Sequence, residues 1–489
     1  TEEDIAYLRG RNLFCEEFLD YLRNFRFTGD IYAIPEGTPV FPKEPLVVVR
    51  APAIEAQLIE TFTLLTINHQ SLIATKANRI VRAAKGRTVL EFGSRRAQGA
   101  DAAIVGARAA YIGGCAGTAC TISDEVYGVP AGGTMAHAWV QMFDNEYEAF
   151  KTYCQTYPTN ATLLVDTYNT LKSGIPNAIK AFNEVLKPLG ITKCGIRLDS
   201  GDLAYLTRKA REMLDEAGWT ECKISVSNSL DEYLIQDMLL QGAQIDLFGV
   251  GEWMITAKSE PVFGGVYKLV AIEEPDGTVI PKIKVSENVE KITIPHFKKV
   301  YRLFGRDTGK AIADYITVHD ETVDDTKGLT IFDPMATWKR KDVYNFEARE
   351  LLVPIFKNGI LRPAGGYPVG RGQALRLSPQ VLCGSVRQAV GHPAVPAAHV
   401  PDEIRKKISN RTAEERRSPR EKAEGTAENR APYIRRPAAG DGGGIAVGTD
   451  RAGDRPQRPS EAAHGAGLYG IAAAGRCGGH AYLVPPRGH

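Results

Sequence analysis

Long apolar runs are missing from this 489-residue chain. None approaches the roughly 18 residues that a bilayer-spanning helix requires, and the opening Thr1-Glu2-Glu3-Asp4 has no signal-peptide pattern. An excess of either charge is missing too. Lys and Arg number 60 against 58 Asp and Glu, a formal net charge of +2, which argues against a nucleic-acid binder working by bulk charge. The eight cysteines contain no CxxC pair, and no histidine cluster accompanies the closest two, Cys115 and Cys120. Free thiols in a reducing compartment are therefore expected, rather than disulfides or a metal centre. From about Leu361 onward Phe and Trp vanish and Lys nearly does, while Arg, Ala, Gly and Pro take over. Such a stretch cannot bury a core, so 361–489 is expected to be a disordered tail, and the abruptness of the change is read as a shifted reading frame.

What remains is an ordinary globular composition, 43% apolar and 24% charged, long enough for two or three domains. Its middle alternates β-branched runs with amphipathic stretches. Strands are expected at Thr88–Gly93, Ala109–Gly113, Leu163–Tyr168, Lys193–Asp199, Lys223–Asn228 and Ile245–Gly251. Helices are expected at Ala97–Arg108, Ala136–Tyr153, Ile175–Val185, Leu203–Ala217 and Leu230–Gln241, with a long one at Glu55–Ala84 leading in. A repeat of about 20–35 residues is the βα rhythm of a parallel sheet or barrel. The segments Phe27–Arg50 and Val262–His319 break that rhythm with strand-like runs and a turn at Pro275-Asp276-Gly277. The fold expected is α/β, an irregular (β/α) barrel with a second, discontinuous β-rich α/β domain. Residues 1–52 would begin the second domain, 53–260 form the barrel, and 261–360 complete both.

Polar signals sit at the expected strand ends, where a barrel keeps its active site. In Glu91-Phe92-Gly93-Ser94-Arg95-Arg96 two forked guanidiniums lie between a strand and a helix start, which suits an anion; a solvated surface pair is the bland alternative. Arg197-Leu198-Asp199-Ser200-Gly201-Asp202 offers two carboxylates on a tight turn, suited to a vicinal diol or to Mg²⁺ through its waters, with Ser200 or Asp202 also fitting a helix N-cap. Phe248-Gly249-Val250-Gly251 would let main-chain amides approach a phosphate late in the barrel. His137 follows Gly132-Gly133-Thr134-Met135-Ala136 at a helix start; a lone histidine there is more often structural. Together the four features suit a phosphorylated sugar with a second anionic group, and phosphoribosyl transfer is the reaction that such a site would serve.

At these residues the sequence resembles the nicotinate phosphoribosyltransferases. The matching blocks are EFGSRRAQGAD at 91–101, GTMAHAW at 133–139, LLVDTYNT at 163–170, IRLDSGDL at 196–203, LFGVGEWMIT at 247–256 and SEPVFGGVYKL at 259–269. The resemblance implies a type II phosphoribosyltransferase fold and a cytoplasmic enzyme of NAD biosynthesis. It would join nicotinate to phosphoribosyl pyrophosphate with Mg²⁺ and coupled ATP hydrolysis, as a homodimer with a shared site and with neither nucleic acid nor membrane as partner. By that resemblance His137 is the phosphorylated histidine, and Arg197, Asp199, Ser200, Gly201 and Asp202 hold ribose and phosphates, the two acids also being candidates for the metal. Phe92 stacks on the pyridine, Arg95 and Arg96 meet carboxylate or phosphate, and Gly249 and Gly251 bind the 5-phosphate. Asp166 and Thr167 receive no role. Family members also start further upstream with an Asp-x-Tyr stretch and end in a helical segment, and this chain matches neither.

Competing readings are a nicotinamide-using relative, a quinolinate phosphoribosyltransferase, a non-catalytic homologue or fragment keeping the fold, and a Schiff-base aldolase barrel. The Arg95-Arg96 pair favours a carboxylate base over an amide. His137 in its block counts against the quinolinate enzyme, and no Lys stands at an expected strand end for a Schiff base.

Overall fold

In the middle segment the strands alternate large apolar residues with small or polar ones, and the computed structural model turns that alternation into two unlike faces. The structure describes residues 1–285, 287, 292–333 and 336–362, with the main chain of 386–387, all within the unit Thr1–Arg405. The expectations for the tail fall almost wholly outside the described residues.

Six parallel strands make one sheet: β1 (Thr88–Glu91), β2 (Gly117–Thr118), β3 (Thr162–Leu164), β4 (Gly195–Leu198), β5 (Lys223–Ser227) and β6 (Leu247–Val250). Their order across the sheet is β2-β1-β6-β5-β4-β3, so the first long strand pairs with the last. Residues in register share a face. Ile196, Leu198, Ile224, Val226, Phe248 and Val250 share one face and are fully buried. Arg197 and Ser225, and likewise Ser227, Gly249 and Leu90, share the other. The chain is thus α/β with a parallel sheet, one face of which is apolar and the other largely polar.

The connecting helices are α1 (Glu60–Ala83), α2 (Ala100–Ile112), α3 (His137–Gln141), α4 (Glu146–Thr156), α5 (Ile175–Ala181), α6 (Leu203–Glu216) and α7 (Glu232–Leu240). In α6 the buried residues Leu203, Ala204, Thr207, Ala210 and Leu214 form one stripe at helical spacing. Asp202 starts it by accepting the Tyr205 N–H at 3.0 Å.

Three expectations need correction. Ala109–Gly113 is not a strand but the last turn of α2 and its cap. Its alanines favour helix, and Gly113 lets the helix lie against α1, where a Cβ would come within 2.5 Å of the Ala74 carbonyl oxygen. The single helix expected over Ala136–Tyr153 is two, because Asn145 caps α4 by accepting the Glu148 N–H at 3.0 Å. Likewise Glu55–Ala84 divides into Ala53–Leu58 and α1.

Around this sheet the outer segments pair with one another. Strand Asp30–Ala33 lies antiparallel between Val47–Arg50 and Val353–Lys357, and Lys298–Gly305 lies between Ala311–Val318 and Phe346–Glu350. Arg108 of α2 joins these segments to the helices. Fully buried, it donates to both carboxylate oxygens of Glu36, with Nη1 at 2.8 Å from Oε1, and to Gln70 Oε1 at 3.3 Å. The Tyr127 ring lies 5.5 Å from its guanidinium carbon. Removing one partner of such a pair strands the other charge in a poorly hydrated place. Arg108→Ala is expected to cost about 3–5 kcal/mol by denaturant titration, and the double variant with Glu36→Gln to cost less than the sum of the two single changes.

Candidate functional site

All six strands run the same way, so the loops after their C-terminal ends share one edge of the sheet. Arg197, in β4, points from the polar face into that edge with its guanidinium nearly spent. Nε donates to Ser227 Oγ at 2.8 Å, Nη1 to Thr134 Oγ1 at 2.9 Å and Nη2 to Asp199 Oδ1 at 2.9 Å. Ser227 Oγ in turn donates a hydrogen bond to Asp199 Oδ1. Two strand ends and the Gly132–Ala136 segment are thereby tied to one cation.

Asp166, just beyond β3, underlies the turn after β4. Its Oδ2 accepts the Asp199 N–H at 2.8 Å and the Ser200 hydroxyl at 2.6 Å. Gly201 completes that turn at φ +83°, a conformation that disfavours other residues. Asp166 Oδ1 is buried without a hydrogen-bond partner among the described residues, and it faces His137. The His137 ring stands with Nε2 3.8 Å from both Asp166 Oδ1 and Asp199 Oδ2, and Nδ1 3.1 Å from Thr167 Oγ1. The histidine is partly exposed at the first position of the short α3. Beside it, Gly132 and Gly133 face open space.

Phe92 follows β1, its N–H donated to the Val250 carbonyl at 2.8 Å. Its ring lies against Gly249, where a Cβ would come within 2.5 Å of ring carbon Cδ2, and 5.5 Å from the Arg197 guanidinium carbon. Gly249 is thus small because Phe92 lies over it, a reason different from the phosphate contact expected of it. Gly251 sits at the strand's end against the Phe92 carbonyl. Arg95 and Arg96, in a single 3-10 turn, are exposed. Arg96 approaches Glu252 at 3.9 Å, and Arg95 has no ion pair or hydrogen bond among the described residues, so both remain available to an anion.

The structure therefore brings together Arg197, Asp199, Ser200, Gly201, His137, Phe92 and Gly249. It leaves Arg95 and Arg96 on a neighbouring loop and Asp202 as the α6 cap. Sequence reasoning left Asp166 and Thr167 without roles and passed over Thr134 and Ser227. Ser227 stood at the end of an expected strand, and that position was the available signal. Thr134 carried none beyond its place near His137.

Packing at Phe92 can be checked directly. Gly249→Ala should destabilise the chain by about 1–3 kcal/mol through overpacking. The double variant Gly249→Ala/Phe92→Ala should show a coupling that recovers part of that loss in thermal or denaturant melts.

Comparison with known proteins agrees with this arrangement. The nicotinate phosphoribosyltransferase (NAPRTase) N-terminal domain matches residues 1–68, and the nicotinate phosphoribosyltransferase C-terminal domain matches residues 297–364. Nicotinate phosphoribosyltransferase of Bacillus subtilis is 49% identical over 363 residues, covering 74% of this chain and 73% of that protein. Its counterpart in Dictyostelium discoideum is 34% identical over 417 residues, covering 74% and 70%. Among solved structures, human Nicotinic Acid Phosphoribosyltransferase aligns with a TM-score of 0.68 at 25% identity, over 84% of this chain and 88% of that one. With the same blocks lying at the ends of its parallel strands, the chain belongs to the nicotinate phosphoribosyltransferase family of enzymes.

Proposed function

We propose that this site joins nicotinate to phosphoribosyl pyrophosphate, giving nicotinate mononucleotide and pyrophosphate, in NAD biosynthesis. The observation that carries the reading is the cluster of Arg197, Asp199, Asp166 and His137 at the strand ends, with Phe92 beside it. The pyridine nitrogen of nicotinate has a free electron pair and needs no base. It attacks C1 of the ribose as the C1–O bond to pyrophosphate breaks and its electron pair leaves with pyrophosphate. The ribose carries positive charge in the transition state, so fixed carboxylates near C1 and cations near the leaving group act where charge develops. Phe92 offers the base a ring face. Arg95 and Arg96 meet its carboxylate or a phosphate in forked geometry, a preference that an amide base would not satisfy. The main chain at Gly249 and Gly251 meets the 5-phosphate, a role that rests on the family resemblance.

Mg²⁺ and ATP belong to this reading. Among the described residues no group of three or more His, Cys, Asp and Glu is arranged to hold a metal ion. Asp199 and Asp202 each keep one carboxylate oxygen with no hydrogen bond, a hard-oxygen set that suits Mg²⁺ held through water and shared with substrate phosphates. Bound there, Mg²⁺ would offset charge on pyrophosphate. His137 takes the γ-phosphoryl group of ATP: an N–P bond forms, the O–P bond breaks and ADP leaves, and water later releases phosphate. Asp166 and Asp199 orient the imidazole, and Thr167 holds Nδ1.

The reading extends to architecture. The sheet closes into an irregular barrel, supported by the Thr118–Ala131 bridge beyond β2 and the His137–Thr167 bond, which draw its two edges together. Residues 1–52 with 261–360 make the second domain, supported by their shared sheets. A homodimer is supported by exposed Leu58 at the end of Ala53–Leu58, by exposed Phe62 and Leu65 on α1, and by Val262, Val266 and Leu269 on a segment that Tyr267 ties to the Ala56 carbonyl at 2.8 Å. A cytoplasmic setting accords with the free thiols of Cys15, Cys115, Cys120, Cys154, Cys194 and Cys222. No helix among the described residues is long and apolar enough to cross a membrane.

Two pairs of variants test the chemistry. Asp199→Asn should lower turnover roughly 10²–10³-fold at a nearly unchanged melting temperature. Asp202→Ala should instead cost about 1 kcal/mol of stability through the lost α6 cap. Steady-state assays with nicotinate and with nicotinamide should show preference for the acid, and the opposite preference would overturn the base assignment. His137→Ala should abolish labelling by γ-labelled ATP and the ATP stimulation of turnover, while His137→Gln reports whether imidazole shape alone matters. Unchanged labelling in either would remove the histidine from the reaction.

A further inference from the structure

Glu91 is the misplaced residue of the sheet. Its register partners are Val250 and Thr118, so it lies on the face occupied by Val226, Leu198 and Phe248, which apolar residues fill. It has no exposed surface, and no Arg, Lys or His bonds to it among the described residues. Burial pushes its carboxyl above the ordinary carboxylate range, only partly offset by the Thr118 hydroxyl and the Gly93 amide. A carboxyl kept in such a place without a counter-ion opposes folding, and its hydrogen bonds show what it does there. Oε1 accepts the Gly93 N–H. Oε2 accepts the Thr118 hydroxyl at 2.6 Å, and Thr118 Oγ1 in turn accepts the Cys120 N–H at 2.9 Å. The main chain adds a parallel link, the Ala119 N–H to the Glu91 carbonyl at 2.8 Å.

We propose that Glu91 is a positioning residue for the base. Its carboxyl fastens the turn after β1 to the loop after β2, and so sets where Phe92, Arg95 and Arg96 stand. Gly93 is the fulcrum. The 3-10 turn carrying both arginines begins at Ser94, and Arg96 donates its N–H to the Gly93 carbonyl at 2.7 Å. On its other side Gly93 is pressed against Ile255 and the Gly251 carbonyl, with no room for a Cβ. The turn therefore has one seat, and the Glu91–Gly93 bond holds it there. An apolar residue at position 91 would pack as well as Val250 does, but it would leave the Gly93 amide and the Thr118 hydroxyl unpaired.

The proposal rests on the assignment of Phe92, Arg95 and Arg96 to the base, and the test separates the two. KM for nicotinate, KM for phosphoribosyl pyrophosphate, kcat and the melting temperature are measured for Glu91→Leu, Glu91→Gln, Thr118→Val and Phe92→Leu. Loss of both buried hydrogen bonds predicts a KM for nicotinate raised about tenfold in Glu91→Leu, and loss of one about threefold in Thr118→Val, with a smaller change in kcat. Glu91→Gln, which can still accept the Gly93 N–H, should return KM to within about threefold of the parent. Thr118→Val serves the same purpose should Glu91→Leu fail to fold. A lowered melting temperature with unchanged KM for nicotinate in Glu91→Leu or Thr118→Val, while Phe92→Leu raises it, would overturn the positioning role alone. Unchanged KM in Phe92→Leu as well would overturn the assignment of the loop to the base, and the role of Glu91 with it.

Discussion

Everything at the site depends on the parallel register of six strands, and above all on the pairing of β1 with β6. Parallel strands need crossovers through helices, so each strand begins on one edge and ends on the other. Chemistry-bearing loops that are far apart in sequence then become neighbours. Leu90 pairs with Gly249 and Glu91 with Val250, which puts the Phe92 ring over the one position in β6 where no side chain obstructs it. A slip of one residue in that register would exchange the faces of β1, turning Glu91 to the face of Gly249 and Leu90 to the apolar one.

Given that register, Arg197 organises what the strand ends hold. A single guanidinium binds a carboxylate and two hydroxyls that come from three different segments. These partners are fixed before any substrate arrives, so little reorganisation is left for the reaction. Asp166 works from below through backbone and hydroxyl donors and keeps one oxygen free beneath His137. The cluster mixes charge with hydroxyl donors, and the carboxylates are screened from one another without being neutralised outright.

The flanking β segments are built from stretches far apart in the chain. Strand Asp30–Ala33 near the start of the chain pairs with Val353–Lys357, while residues 298–350 also form a three-stranded sheet among themselves. Arg108 and Glu36 fasten these segments to α1 and α2. Buried ion pairs of this kind add little net stability over apolar packing, but they are strict about geometry.

How much of this the sequence carried varies with the range of the interaction. The βα rhythm, the strands at Thr88, Gly195, Lys223 and Leu247, and the α6 stripe are local patterns of period two or 3.6, and they were legible. The motifs around Phe92 and Asp199 stood out by residue type and spacing, while His137 was singled out by the family resemblance alone. Ala109–Gly113 misled because its helix is settled by alanine content and by close packing of Gly113 on α1, a contact from a distant segment. The cap at Asp202 and the diol reading of the same motif could not be separated locally, since both use a carboxylate on a turn. Gly249 was read as part of a phosphate loop, and the ring packed over it is a second reason for glycine there that no local pattern showed. The parts played by Asp166, Ser227, Thr134 and Glu91 belong to tertiary structure alone. Each is a common residue whose meaning comes from a partner many positions away, and strand order, which no local pattern encodes, decides which partner that is.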